Sequence, residues 1–365
     1  MKITFVLPDA NLSGGTRVIA IYAEKLKNKG HEVCVVSTPR KPISLKTQFK
    51  SLVKGNGWLK NPQLKPSHLD NVNVLHRVID SVRPITEADV PDADVVIATW
   101  WETAEWVASF SEKKGAKAYF VQHHEVHEYL PKERVKATYS LPLHKITISQ
   151  WLVDLMKTQY GDRNVSLVPN SVDLEQFYAV SRTKQHIPTI GMMYSTITWK
   201  GCDISLKAFD LAAQEIPNLR LIAFGKEAEK PDLPFPSGTK YTYQPPQNQI
   251  KDLYAQCDAW LFGSRVEGFG LPILEAMACR TPVIGTPAGA APELLIDGGG
   301  ILVKPENPKE MAKAIVQICQ LSENEWRAMS DLAYLTAKSY TWDSATELFE
   351  TALNNAINKK EKISI

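Results

Sequence analysis

Acidic side chains are absent from a long stretch near the amino terminus. Between Val33 and Leu69 there is no Asp or Glu, while Arg40, Lys41, Lys46, Lys50, Lys54, Lys60 and Lys65 accumulate. Elsewhere the charges balance, and a formal net charge of +2 argues against a dedicated nucleic-acid binder, which carries a strong basic excess. Cysteine is sparse. Cys34, Cys202, Cys257, Cys279 and Cys319 lie far apart with no C-x-x-C, so neither a disulfide framework nor a zinc site is indicated, and a reducing cytoplasm fits. The opening MKITFVLPDA has one lysine and a short apolar run that meets Pro8 and Asp9, too brief for a signal peptide or a membrane span, and it reads as a buried first strand. The glycines that follow, in LPDANLSGGTRV, do not form G-x-G-x-x-G. The second strand ends in VVSTPR without the acid that takes a ribose, which removes a nicotinamide dehydrogenase.

What the chain does have is a core. Its 365 residues, 44% hydrophobic and 22% charged, exceed one compact core of usual size and predict two domains. Apolar runs of strand length recur, each followed by helical spacing: ITFVL, EVCVVS, DVVIAT, KAYFVQ and KITIS, then after a break TIGMMY, LRLIAFG, AWLFGS and TPVIGT. This alternation predicts an α/β protein with two Rossmann-like, doubly wound parallel sheets. The boundary is expected between 175 and 188, giving an N-terminal acceptor-side domain over 1–180 and a C-terminal donor domain over 181–340. A terminal helix and charged tail over 341–365 can cross back to the first domain. Ligands are expected beyond the carboxyl ends of the strands, in a cleft that the two domains face.

In EGFGLPILEAMA, residues 267–278, two glutamates bracket a glycine-rich turn that leads into a helix. Gly268 and Gly270 let the backbone approach a ligand, Pro272 suits a first helical turn, and the helix start is a seat for a diphosphate. Glu267 and Glu275 on either side can grip two hydroxyl-bearing parts of a sugar nucleotide; the bland alternative is a pair of solvated surface acids.

The stretch from Tyr254 to Pro305 resembles the donor-binding half of the family 4 retaining glycosyltransferases of the GT-B fold. VPNSVDLEQF is similar to their interdomain PNGVD element, WKGCDISLKAF to their KG motif, and LSGGTRV to their amino-terminal glycine loop. The resemblance covers nearly the whole chain and is strongest from 165 to 305. It implies sugar transfer from a UDP-, GDP- or dTDP-sugar to a glycan, lipid-linked or other acceptor, with retention and with no metal. By the same resemblance Glu267 would bond the transferred sugar, inside the amides of Gly268, Phe269, Gly270 and Leu271. Glu275 would take the ribose, Lys200 the diphosphate, and Gly14 and Gly15 would close over the phosphates. The family's usual arginine before the lysine is replaced by Met192 and Met193, which leaves Arg265 or Arg17 as further cations. A noncatalytic sugar-nucleotide binder, or an epimerase or phosphorylase on the same fold, remains the alternative.

In the first domain HHEVH places His123, His124, Glu125 and His127 at a strand end. The resemblance implies a histidine beside the sugar, His123 or His124. The zincin spacing H-E-x-x-H is not met, and the D-x-D at Asp92–Asp94 precedes a strand instead of following one. Trp100, Trp101 and Glu102 follow DVVIAT and read either as an acceptor platform or, for the tryptophans, as core. Tyr243 is a candidate base contact. Asn170 and Asp173 shape the turn between domains, and Ser149 has no evident partner. The basic segment 40–65 sets Leu45, Phe49, Leu52 and Val53 on one helical face beside lysines. It is either a surface helix packed on its own domain or an anchor to an anionic membrane surface, which would make the protein peripheral on the inner face.

Overall fold

Strands buried on both faces need unbroken apolar runs, and parallel pairing of consecutive strands needs a crossover, usually a helix. A computed structural model describes residues 1–55, 57–59 and 65–363, with side chains through Lys359; Lys60 of the basic segment lies outside the described residues. The chain divides into two units. One comprises Met1–Ile148, Leu152–Val168 and Thr346–Ile365, the other Ser149–Trp151 and Pro169–Ala345.

The first unit holds a seven-stranded parallel sheet in the order β3-β2-β1-β4-β5-β6-β7. Its strands are β1 (Lys2–Leu7), β2 (Glu32–Ser37), β3 (Leu75–Val78), β4 (Val95–Ala98), β5 (Ala116–Val121), β6 (His144–Thr147) and β7 (Val165–Leu167). The crossovers carry α1 (Gly14–Asn28), α2 (Leu45–Val53), α3 (Trp101–Ala108), α4 (Lys132–Thr138) and α5 (Gln150–Tyr160). Ile3 pairs with Val33 on one side and Val95 on the other, so the central strands are closed by backbone hydrogen bonds along both edges.

The second unit repeats the plan with six strands in the order β10-β9-β8-β11-β12-β13. These are β8 (Thr189–Tyr194), β9 (Arg220–Gly225), β10 (Lys240–Tyr243), β11 (Ala259–Phe262), β12 (Val283–Gly285) and β13 (Gly300–Leu302). The helices are α6 (Cys202–Glu215), α7 (Ile250–Ala255), α8 (Leu271–Ala278), α9 (Ala291–Leu295), α10 (Pro308–Gln320) and α11 (Glu323–Ser339). Ile190, Met192, Leu261 and Ile284 of the sheet pack with Phe209, Ile315 and Trp326 in one buried cluster. Each such side chain contributes roughly 1.5–3 kcal/mol on leaving water. Met192, where an arginine would fall in the resembled family, is part of that core.

The last helix, α12 (Trp342–Ile363), sends Phe349 into the first unit's core, its ring 4.4 Å from Tyr22 and 5.1 Å from Phe120. One position on, Glu350 bonds Lys29 at 2.7 Å and His31 at 3.0 Å. In both sheets strand order reverses once, between β1 and β4 and between β8 and β11. Loops at such reversals are where doubly wound folds take ligands.

Candidate functional site

Two loops flank the reversal in the second sheet. The first leaves β8, is held by a hydrogen bond from the Thr196 amide to Glu227 (2.6 Å), and ends in a short 3-10 turn over Thr198–Lys200. Gly201 then adopts φ +61°, and a Cβ there would sit 1.8 Å from the carbonyl oxygen of Gly263. Only glycine lets the first loop lie directly on the second. The consequence is the central contact: Lys200 Nζ lies 2.7 Å from Glu267 Oε1, which also accepts the Ser264 hydroxyl at 2.9 Å. Both partners are mostly shielded, with side chains 24% and 12% exposed.

Beyond Glu267 the chain is pinned before it turns. The Gly268 carbonyl accepts the Ser149 hydroxyl at 2.8 Å and the Trp151 indole N–H at 2.9 Å, which supplies the partner that sequence reasoning did not find for Ser149. The Phe269 ring is buried and its carbonyl accepts the Ala290 amide at 2.8 Å. Gly270, at φ +98°, starts α8, where a Cβ would press on the Phe262 ring at 2.8 Å. Leu271 and Pro272 form the first helical positions, and no side chain caps this helix start. Glu275 follows one turn later, half-buried, its Oε2 accepting the Tyr254 hydroxyl at 3.0 Å. Tyr254 is fully buried and wedged against Trp260, with ring centroids 4.4 Å apart. Tyr254 and Ser264 were missed; their signal lay only in sharing the β11 neighbourhood with the two glutamates.

Arg265 does not serve as the free cation expected of it. Its guanidinium forks onto Asp203 at 2.9 and 2.8 Å, reaches Glu306 at 2.5 and 2.9 Å, and bonds the Thr198 carbonyl at 2.6 Å. Two carboxylates already balance its charge and hold it protonated, and the residue braces the turn that carries Lys200. Tyr243 also stands apart. It is exposed at the end of edge strand β10, three strand spacings or roughly 14 Å from β11.

In the first unit, Ser13 caps α1, accepting the Thr16 amide, so Gly14 and Gly15 form the first turn. The Gly15 carbonyl accepts Gln122 Nε2 at 3.3 Å, tying that turn to the end of β5, next to His123. His123 Nδ1 lies 2.9 Å from the His124 carbonyl. His124 Nε2 meets the Tyr160 hydroxyl at 2.8 Å, and burial, helped by the neighbouring His123 and Lys136, lowers its pKa to about 4. The imidazole is therefore neutral near neutral pH. Glu125 turns into the core, where burial holds its carboxyl well above the usual range, and His127 stacks on Tyr129 with centroids 5.3 Å apart. The three side chains of H-E-x-H thus diverge. Asp94 accepts the Lys2 amide at 2.7 Å and Asp92 pairs with Lys114 at 2.8 Å, both at the amino-terminal edge of the sheet. Among the described residues, no group of three or more His, Cys, Asp or Glu is placed to hold a metal ion.

The acceptor-platform expectation needs one correction. Trp101 is 4% exposed, packed into the core with the Arg134 guanidinium 5.0 Å over its ring, and has no face to offer a sugar. Trp100 and Glu102 stay half-buried at the start of α3. Asp173 accepts the Glu175 and Gln176 amides at 2.9 and 3.2 Å, bonding its own turn; Asn170 is buried.

Residues 12–176 match the family described as Glycosyltransferase Family 4, and residues 177–334 the family described as Glycosyl transferases group 1. D-inositol 3-phosphate glycosyltransferase of Mycobacterium leprae is 29% identical over 208 residues, 51% of this chain and 48% of its own length. O-antigen chain mannosyltransferase B of Escherichia coli is 32% identical over 108 residues, 29% of this chain and 28% of its own length. The chain thus spans half the length or less of these curated relatives. Among solved structures, Anabaena HepE in complex with UDP superposes with a TM-score of 0.74 at 18% identity, over 97% of this chain and 100% of that one. WaaG, a glycosyltransferase involved in lipopolysaccharide biosynthesis, gives 0.65 at 15% identity, over 96% and 98%. Matched from residue 12 to residue 334 by those two descriptions and built on two doubly wound parallel sheets, the chain belongs to the family 4 glycosyltransferases with the GT-B fold.

Proposed function

We propose that the protein transfers a sugar from a nucleoside diphosphate sugar to a hydroxyl of a glycan, a lipid-linked saccharide or another acceptor, with retained anomeric configuration and without a metal ion. The observation that carries this reading is the Lys200–Glu267 contact of 2.7 Å, set against the start of α8 with Glu275 one turn beyond. A diphosphate at that helix start meets backbone N–H groups, the positive end of the helix and the Lys200 ammonium together. Glu267 is assigned to hydroxyls of the transferred sugar, and Glu275 to the ribose.

The bond that breaks joins the anomeric carbon to a phosphate oxygen, so negative charge gathers on the departing nucleoside diphosphate. Lys200 and the α8 amides stabilise that charge where it develops, the work a metal does in other transferases. The acceptor hydroxyl attacks on the face the diphosphate leaves, and its proton passes to the departing phosphate oxygen. In the first unit His123 and His124 are assigned to the transfer chemistry, with His124 acting as a neutral imidazole, and Trp100 and Glu102 to acceptor contact. HepE has been solved with UDP and with UDP-glucose, which supports a nucleotide sugar as donor here.

Calorimetric titration with UDP, GDP and dTDP, followed by product analysis with the matching sugar nucleotides, tests the proposal. One nucleoside diphosphate should bind, and its sugar should be transferred or slowly hydrolysed. Binding without turnover would replace the enzyme by a sugar-nucleotide binding module, and binding of none would end the donor assignment.

A further inference from the structure

Helix α2 is built inside out. Its buried residues are the polar Gln48 and Ser51, whereas Leu45, Phe49, Leu52 and Val53 are 80%, 70%, 46% and 71% exposed and the nearby Trp58 is 65% exposed. Hydrogen bonds tie this polar face to the loop that follows the helix. The Gln48 carboxamide accepts the Leu59 amide at 2.9 Å and donates to the Leu59 carbonyl at 3.1 Å, and the Ser51 hydroxyl donates to the Gly57 carbonyl at 2.9 Å. Ser44 caps the helix by accepting the Thr47 amide at 3.2 Å. Arg40 ties the base of the segment down, donating to the Ala10 and Pro66 carbonyls at 2.6 and 2.8 Å. The apolar residues therefore lie exposed, outside the face that the following loop covers.

At about 100° per residue, the four apolar side chains span an arc of roughly 100° and Lys46, Lys50 and Lys54 occupy the next 80° or so, both away from the buried face. All three lysines are exposed, as are Lys41 and Lys65, and no carboxylate interrupts the sequence from Val33 to Leu69. An apolar strip bordered by cations matches a surface that is itself apolar within and anionic at its rim. A second copy of this chain would set lysine rows against each other. The nine-residue helix is about 14 Å long, suited to lying in an interface and too short to cross it.

We propose that this face docks on an anionic lipid bilayer, with Leu45, Phe49, Leu52, Val53 and Trp58 entering the headgroup boundary and Lys46, Lys50 and Lys54 lying against lipid phosphates. The docking is independent of the donor assignment, because partitioning is measured with no nucleotide present. The full chain should co-sediment with phosphatidylcholine–phosphatidylglycerol vesicles far better than with phosphatidylcholine vesicles, and salt should weaken it. Lys50→Ala should lower the partition coefficient about fivefold, and Phe49→Ser at least about tenfold. Both side chains are exposed, so thermal unfolding should be unchanged, which separates lost docking from lost folding. Equal recovery in the two vesicle types, or recovery unaltered by both substitutions, overturns the proposal. A dimer in sedimentation equilibrium that Phe49→Ser dissociates also overturns it, assigning the face to a second copy instead.

Discussion

At the scale of single residues, Glu275 owes its direction to Tyr254, whose buried ring cannot swing and whose hydroxyl reaches the carboxylate at 3.0 Å. If Glu275 holds the ribose, Glu275→Ala should weaken binding of the preferred nucleoside diphosphate by about 1.5–3 kcal/mol, the usual worth of a charged hydrogen bond. Because the buried Tyr254 hydroxyl loses the carboxylate it donates to, folding should also weaken, by about 1–3 kcal/mol; unchanged affinity by calorimetry would remove the role. Gly201 offers a structural counterpart. A methyl group there would overlap a backbone carbonyl at 1.8 Å in a left-handed conformation, so Gly201→Ala should cost at least about 3 kcal/mol in urea unfolding. An unaltered midpoint would mean that the two loops separate easily. The paired glutamates and the lysine-glycine pair were legible as types and spacings in the chain. The capture of Arg265 by Asp203 and Glu306 was not, because those acids are 62 and 41 positions away.

At the scale of elements, burial separates what periodicity could reveal from what it could not. The central strands β1, β4, β5, β8 and β11 are shielded on both faces and appear as continuous apolar runs. The edge strands β3, β7 and β13 are short and partly exposed, carry no such run, and were not anticipated. In α2 the apolar spacing was plain, but which face turned inward depended on Gln48 and Ser51 meeting the backbone of the following loop. The short strand β6 carries a titratable group of consequence. His144 is 4% exposed, its Nε2 meets Ser166 at 2.8 Å, and burial together with Lys359 lowers its pKa to about 4. The folded value lies below the unfolded value near 6.5, so the neutral ring's contribution is complete above pH 6.5 and is lost as pH falls through 4, at most about 3 kcal/mol. Buried Glu125 acts with the opposite sign, since its raised carboxyl favours folding at lower pH. Measuring urea stability from pH 7 to pH 4 in the protein and in His144→Gln cancels Glu125 and leaves the histidine. The variant should lose less stability on acidification, and parallel curves would refute the shift.

At the scale of the molecule, the amino-terminal unit is completed by the end of the chain. Phe349 stacks with Tyr22 and meets Phe120 edge-on, two ring partners that each lie more than two hundred positions earlier in the chain. Phe349→Ala should therefore destabilise the first unit by about 3–5 kcal/mol, whereas hydrogen exchange in β8 and β11 of the second unit should change little. Equal acceleration in both units would mean that they unfold as one. Among the described residues no helix is long and apolar enough to cross a membrane.

The order of residues alone pointed to parallel, doubly wound sheets, because buried strands need unbroken apolar runs and parallel neighbours need helical crossovers between them. It also marked the glycine turn between two glutamates, since tight turns and helix starts depend on residue types a few positions apart. Tertiary structure decided the rest: that Lys200 meets Glu267, that Arg265 is consumed by two acids, that Trp101 is core, and that α2 shows its apolar side to solvent. Each of these depends on partners brought together across the fold or on which face a helix buries, and neither is written in local spacing.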